Sequence, residues 1–208
     1  MGRITALKMQ ANNAERVNVF LDDVFAFGLH IDLAARLHLN QELAPDDIAR
    51  LQRLDAGEMA YSRALHYLSF RPRSEYEVTQ YLKGKGAEEE VILDVLERLR
   101  RAGFLDDRAF AQSWVDSREA TRPKGAWGLR AELRQKHVAD EVIDVAVSGL
   151  DEEANALSAA ERKAFHLAHL DEATFRNRLL AFLRRRGFNY EAARQAVDRL
   201  WSEYGAHR

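Results

Sequence analysis

A block of about fifty residues recurs three times in this chain, and that periodicity narrows the folds open to it. Gly86, His137 and Gly187 align at offsets of 51 and 50 residues. Four residues earlier stand Leu82, Leu133 and Leu183; one residue earlier stand Lys85, Lys136 and Arg186. Five and six residues later come Val91-Ile92, Val142-Ile143 and Ala192-Ala193, then Leu96, Val147 and Val197, and then Leu99, Leu150 and Leu200. Apolar spacings of one, three and four residues are those of a buried helix stripe, and glycine at the aligned turn ends the preceding helix cheaply in the left-handed conformation. His137 departs from glycine at that turn, which costs on the order of 1 kcal/mol. Each block also has a leading helix, about 58–69, 107–120 and 153–169, so each is a three-helix unit. Ser74 followed by Glu77 predicts a capping box at the start of the first block's second helix.

A three-helix unit of this size has a thin core and gains stability by packing on its neighbours. The chain is therefore expected to be mainly α, with three tandem three-helix repeats forming an elongated, curved body at 58–105, 106–150 and 151–208. A long face of that kind suits a filament or a groove-shaped partner. Ahead of the repeats, residues 1–57 read differently. Val17, Val19 and Leu21 alternate with polar or exposed positions, and Asn12-Asn13 and Asp22-Asp23 are turn signals. They predict a three-stranded β-meander over about 3–10, 15–21 and 24–29. A short helix over 31–38 follows, with Leu33 and Leu37 inward, and another starts at Pro45 with Ile48, Leu51 and Leu54 on one face.

Composition excludes several classes of function. With 0 Cys, disulfides, thiolate metal sites and a cysteine nucleophile are ruled out. Apolar residues at 47% and charged residues at 31% mark a globular chain with a heavily charged surface. The start of the chain has no signal-peptide pattern and no stretch is apolar enough to span a bilayer, so a soluble cytoplasmic protein with no membrane association is expected. His166 and His169, at i and i+3, have the spacing of two metal ligands, but no recurring carboxylate joins them; a partly solvated helix position is the better reading. Asp22-Asp23 and Asp106-Asp107 read as turn and helix-cap residues rather than a cation site. There is no Gly-rich phosphate loop, no G-x-S-x-G and no H-E-x-x-H, so neither an enzyme nor a cofactor is expected.

Net charge is −2, but it is banded along the chain. Residues 118–138 carry six bases against two acids, residues 139–161 seven acids and no base, and residues 176–199 seven arginines against two acids. The basic bands supply the candidate contact residues. Arg71 and Arg73 flank Pro72 before the first capped helix. Arg118, Arg122, Lys124, Trp127, Arg130, Arg134 and Lys136 belong to the second repeat, and Arg176, Arg178, Arg184, Arg185 and Arg186 to the third. Cationic side chains beside an aromatic ring suit phosphate contact combined with base stacking.

The run Ala64-x-x-Tyr67-Leu68-Ser69-x-Arg71-Pro72-Arg73-Ser74-x-x-Glu77-Val78-x-x-Tyr81-Leu82-x-x-Lys85-Gly86 resembles the first repeat of the RecX regulatory proteins. Leu99-x-x-x-Gly103-Phe104-Leu105-Asp106-Asp107-x-x-Phe110-Ala111 resembles the junction to their second repeat, and Gly125 to Lys136 its basic helix. The strand-rich start resembles an N-terminal extension of some members. The resemblance implies a monomeric, non-enzymatic negative regulator of the RecA recombinase. Such a protein would bind the RecA–single-stranded-DNA filament in its groove and touch bare single- or double-stranded DNA only weakly. It would suppress ATP hydrolysis, strand exchange and LexA-cleavage stimulation, within DNA repair, recombination and the SOS response. The alternative is a helical protein that binds DNA directly, without RecA.

Overall fold

The computed structural model describes residues 1–204, so residues 205–208 of the expected third repeat lie outside the described residues. The chain forms two compact units. The first comprises Met1–Arg71 and Val78–Leu105; the second comprises Pro72–Glu77 and the chain from Asp106 onward.

In the first unit, β1 (Gly2–Gln10), β2 (Asn13–Leu21), β3 (Val24–His30) and β4 (Glu42–Leu43) form an antiparallel sheet in the order β3-β2-β1-β4. The alternation that predicts the meander places Val17 and Val19 on its buried face, with Ile4, Phe27 and Leu29. Asp22 and Asp23 turn β2 into β3 with φ of 48° and 66°, the left-handed pair a tight hairpin needs. The sheet has four strands where three were expected. Asn40, at φ 66°, bends the chain back, its N–H donates to the Ile4 carbonyl at 2.8 Å, and Glu42 and Leu43 then pair with Arg3 and Gly2. Two residues are too few for an alternating pattern to announce a strand.

The helix expected over 31–38 is a single turn, α1 (Ile31–Ala34). The next difference is larger: the helix expected from Pro45 and the leading helix expected over 58–69 are one 24-residue helix, α2 (Pro45–Leu68). Gly57 inside it costs about 1 kcal/mol relative to alanine, too little to break a helix held by packing. What holds it there is Asp55, 6% exposed, which accepts Arg16 Nη1 and Nη2 at 3.1 and 2.8 Å and the His30 N–H at 2.6 Å. The inward stripe thus runs through Leu51 and Asp55, and Leu54, expected on it, is exposed.

The remainder of the unit is the first repeat, closed by α3 (Glu75–Gly84) and α4 (Glu89–Arg101). Ala60, Ala64, Val78, Leu82, Ile92, Val95, Leu96 and Leu99 fill its core. In the second unit, α5 (Asp107–Thr121), α6 (Ala126–Gln135) and α7 (Asp140–Val147) form the second repeat. The third is α8 (Glu152–Leu167), α9 (Glu172–Arg185) and α10 (Tyr190–Tyr204). Leu82, Leu133 and Leu183 are each fully buried, as the alignment requires. Gly86, His137 and Gly187 all take the left-handed turn, at φ 79°, 55° and 82°. The capping box forms: the Glu77 N–H donates to Ser74 Oγ at 3.3 Å, and the Ser74 N–H donates to Glu77 Oε2 at 3.4 Å. Asp106 caps α5, accepting the Arg108 and Ala109 N–H groups.

Candidate partner-binding surface

The second unit shows how one repeat seats on the next. At the start of α6 the Gly125 N–H donates to the Arg186 carbonyl at 3.2 Å, and the Ala126 N–H donates to Glu152 Oε1 at 2.5 Å. Glu152 also accepts the Asn189 side-chain amide, and Arg186 Nη1 donates to the Pro123 carbonyl at 3.0 Å. The backbones here touch. A Cβ on Gly125 would lie 2.2 Å from the Gly187 oxygen, and one on Gly187 would lie 2.1 Å from the Gly128 nitrogen.

The segment Pro72–Glu77 meets the second repeat in the same way, one period earlier. Its Glu75 N–H donates to Asp107 Oδ1 at 2.9 Å, and Tyr76 stacks on His137 with ring centroids 3.7 Å apart. This explains the departure from glycine at position 137. The equivalent of Gly187 is here covered by a ring rather than by backbone, so a Cβ fits and the imidazole gains a partner.

The candidate contact residues separate into two groups. Six are held by carboxylates that the local charge balance does not reveal. Arg118 Nε and Lys124 Nζ both reach Glu132, at 2.8 and 2.6 Å. Arg130 pairs with Asp144 at 2.9 Å, Arg134 with Asp140 at 2.7 Å, and Lys136 with Glu77 at 2.8 Å. Arg176 pairs with Glu172 and Asp198. Burial pushes the Glu132 carboxyl up, but hydrogen bonds from Arg118, Lys124 and Trp114 outweigh it and hold it below the usual glutamate range. The hydrogen bond from Arg134 to Asp140 likewise raises that guanidinium.

The second group faces outward. Arg122, Arg178, Arg184 and Arg185 are exposed and form no ion pair among the described residues, and Trp127 is 73% exposed at the first turn of α6. Arg186, half-buried, lies over the Phe182 ring at 4.9 Å. Through the Pro123, Gly125 and Gly128 contacts, the fold brings the end of α9 (Arg184, Arg185, Arg186) against the loop and helix start that carry Arg122, Lys124 and Trp127. Arg71 is exposed and Arg73 half-buried at the start of α3, away from that cluster in sequence.

The residue pattern alone passes over three further cations. Arg162, Lys163 and His166 line a cleft between α8 and α9 together with Arg186 and Phe182. Their spacing of i, i+1 and i+4 on α8 is the one signal that marks a shared face, and Glu161 beside them masks it in a charge count. No group of three His, Asp or Glu that could hold a metal ion occurs among the described residues, and no described helix is long and apolar enough to cross a membrane.

Tandem three-helix repeats with exposed cations beside an aromatic ring define a binding protein of the helical-repeat class. The comparisons with known proteins carry this further. Residues 2–44 match the regulatory protein RecX N-terminal domain, and residues 60–99, 106–147 and 151–197 match the RecX first, second and third three-helix domains. The regulatory protein RecX of Bacillus licheniformis is 34% identical over 203 residues, covering 95% of this chain and 77% of that one. The regulatory protein RecX of Clostridium botulinum is 30% identical over 204 residues, covering 95% of both. A crystal structure of a regulatory protein RecX superposes with a TM-score of 0.78 at 29% identity, over 95% of this chain and all of that one. The chain belongs to the RecX family of regulatory proteins.

Proposed function

We propose that this protein is a negative regulator of the RecA recombinase. It binds in the groove of the RecA–single-stranded-DNA filament and suppresses DNA-dependent ATP hydrolysis, strand exchange and LexA-cleavage stimulation. Its place is then the cytoplasm, in DNA repair, recombination and the SOS response. Membership of the RecX family is the observation that carries this reading. The exposed cations support it: Arg122, Arg184 and Arg185, next to Trp127, are available to a partner bearing phosphates or acidic protein surface. Arg130 and Arg134 are already occupied by Asp144 and Asp140, so they contribute less to encounter than their number implies. Attraction by exposed charge is long-ranged at low salt and falls away as the Debye length shrinks from about 10 Å at 0.1 M to about 3 Å at 1 M.

The test is steady-state ATP hydrolysis by RecA on single-stranded DNA, titrated with this protein at low and high salt. Wild type inhibits, and inhibition weakens with salt. Arg184→Glu/Arg185→Glu, at exposed positions where stability changes little, raises the half-inhibiting concentration several-fold. Arg130→Glu/Arg134→Glu has the smaller effect. Folded wild type that leaves hydrolysis unchanged overturns the functional reading. Unaltered inhibition by the Arg184/Arg185 variant overturns the assignment of those residues.

A further inference from the structure

The three repeats place equivalent residues where the first helix meets the second, and they differ there in one respect. Three residues after a fully buried alanine (Ala64, Ala111 or Ala160) stand Tyr67, Trp114 and Lys163. Opposite them on the second helix, at the 51- and 50-residue offsets, stand Tyr81, Glu132 and Phe182. In the first repeat the pair closes by stacking: Tyr67 and Tyr81 lie 4.1 Å apart, 4° from parallel. In the second it closes by a hydrogen bond, Trp114 Nε1 donating to Glu132 Oε2 at 2.8 Å. In the third, a lysine faces a phenylalanine, and a cleft of about 260 Å³ opens between α8 and α9.

The six residues lining that cleft are Ala159, Arg162, Lys163, His166, Phe182 and Arg186. No carboxylate is among them. Arg162, Lys163 and His166 have no ion pair among the described residues, unlike Lys124 and Lys136 of the second repeat, which are each paired. Arg178 lies four residues before Phe182 on α9 and is exposed and unpaired, so the cationic stripe runs on past the cleft. From Arg178 to Arg186 it covers about 12 Å of helix at 1.5 Å per residue. Cations left together without counter-charges are costly to hold unless an anion joins them.

We propose that this cleft is a phosphodiester site that takes one unit of a single-stranded nucleic acid, the guanidinium and ammonium groups on its walls holding the phosphate and Phe182 offering the floor. Charge alone would suit an acidic peptide equally, but the floor favours a nucleotide. Arg186 already stacks over the Phe182 ring, and a base or sugar adds to such a cation–aromatic layer as a carboxylate side chain does not. The volume is below the roughly 300–1,000 Å³ of a site for a whole drug-sized molecule, as expected where one group of a longer chain is gripped. The site goes beyond the recombinase reading, and its measurement contains no recombinase, so either can fail alone.

The experiment measures fluorescence anisotropy of a labelled oligodeoxythymidylate with the full chain over a series of salt concentrations. Arg162→Gln/Lys163→Gln is compared with a control pair, Arg36→Gln/Lys83→Gln, exposed cations outside the cleft. Arg186 is left intact because it also holds the Pro123 carbonyl. Melting curves establish that both variants are folded. The cleft pair is expected to bind at least about tenfold more weakly. Its slope of log affinity against log salt should fall by about 1.4, since each lost phosphate contact removes about 0.7 for a single strand. Equal losses in the two pairs, or no binding by wild type at low salt, overturn the site. So does displacement of the oligonucleotide from wild type by poly-glutamate at equal charge concentration, which would make the cleft a carboxylate site.

Discussion

Gly125→Ala should separate the second and third repeats, and its cost can be worked from the structure. Gly125 has φ −74°, which alanine adopts freely, so backbone strain plays no part. The added methyl carbon would sit 2.2 Å from the Gly187 oxygen and 2.3 Å from Phe188 Cα, both backbone atoms with no side chain to swing aside. The junction must open by more than 1 Å or the chain must bend, and forced overpacking of this kind costs about 1–3 kcal/mol. Gly187→Ala carries the same clash, 2.1 Å from the Gly128 nitrogen, plus the left-handed φ of 82°, which adds about 1 kcal/mol. Gly149→Ala is the control within the same unit: nothing lies within 4 Å, so it should be neutral or stabilising by about 0.4–1 kcal/mol. Urea and thermal unfolding of the full chain would rank them Gly149→Ala, Gly125→Ala, Gly187→Ala in falling stability, at roughly 2–4 °C of Tm per kcal/mol for a domain of this size. The double variant Gly125→Ala/Gly187→Ala should lose less than the sum, because one opening relieves both clashes. If Gly125→Ala melts with Gly149→Ala, the repeats are not sealed by backbone contact and the reasoning fails.

Three further outcomes follow from the same geometry. Leu82→Ala, Leu133→Ala and Leu183→Ala, each fully buried, should each cost about 2–5 kcal/mol by urea unfolding; a mild effect at one of them would break the repeat alignment there. His137→Gly relieves about 1 kcal/mol of left-handed strain but loses the Tyr76 stack, worth about 0.5–1.5 kcal/mol, so its melting point should stay close to wild type. A gain as large as the full strain would mean the stack contributes nothing. Glu132 is held below its ordinary value of 4.5, so the unfolded chain binds the extra proton first; stability contributed by this carboxylate is complete above that value and is lost as pH falls through the depressed one. The stability gap between wild type and Glu132→Gln should therefore narrow as pH drops below about 4.5, and a gap independent of pH would remove Glu132 from the acid response.

The repeat architecture is legible in the sequence because it rests on short-range physics. Helical spacing of apolar residues, the Ser74–Glu77 box and the left-handed turns at Gly86 and Gly187 each involve residues a few positions apart, and the offsets of 51 and 50 multiply that signal. The alternation at Val17 and Val19 marks the sheet for the same reason. What required tertiary structure is what depends on partners far along the chain. Asp55 reads as a break between two helices, yet Arg16, 39 residues away, makes it the point where a single helix is held. Lys136 reads as one cation of a basic band, yet Glu77, 59 residues earlier, occupies it. The bands of like charge are real along the chain, but folding sets Glu132, Asp140 and Asp144 against the second repeat's cations and leaves Arg122, Arg184 and Arg185 open. The cleft at Lys163 and Phe182 is a difference between repeats in how two helix faces close. No window of sequence registers it, because closure is a property of the pair and not of either residue.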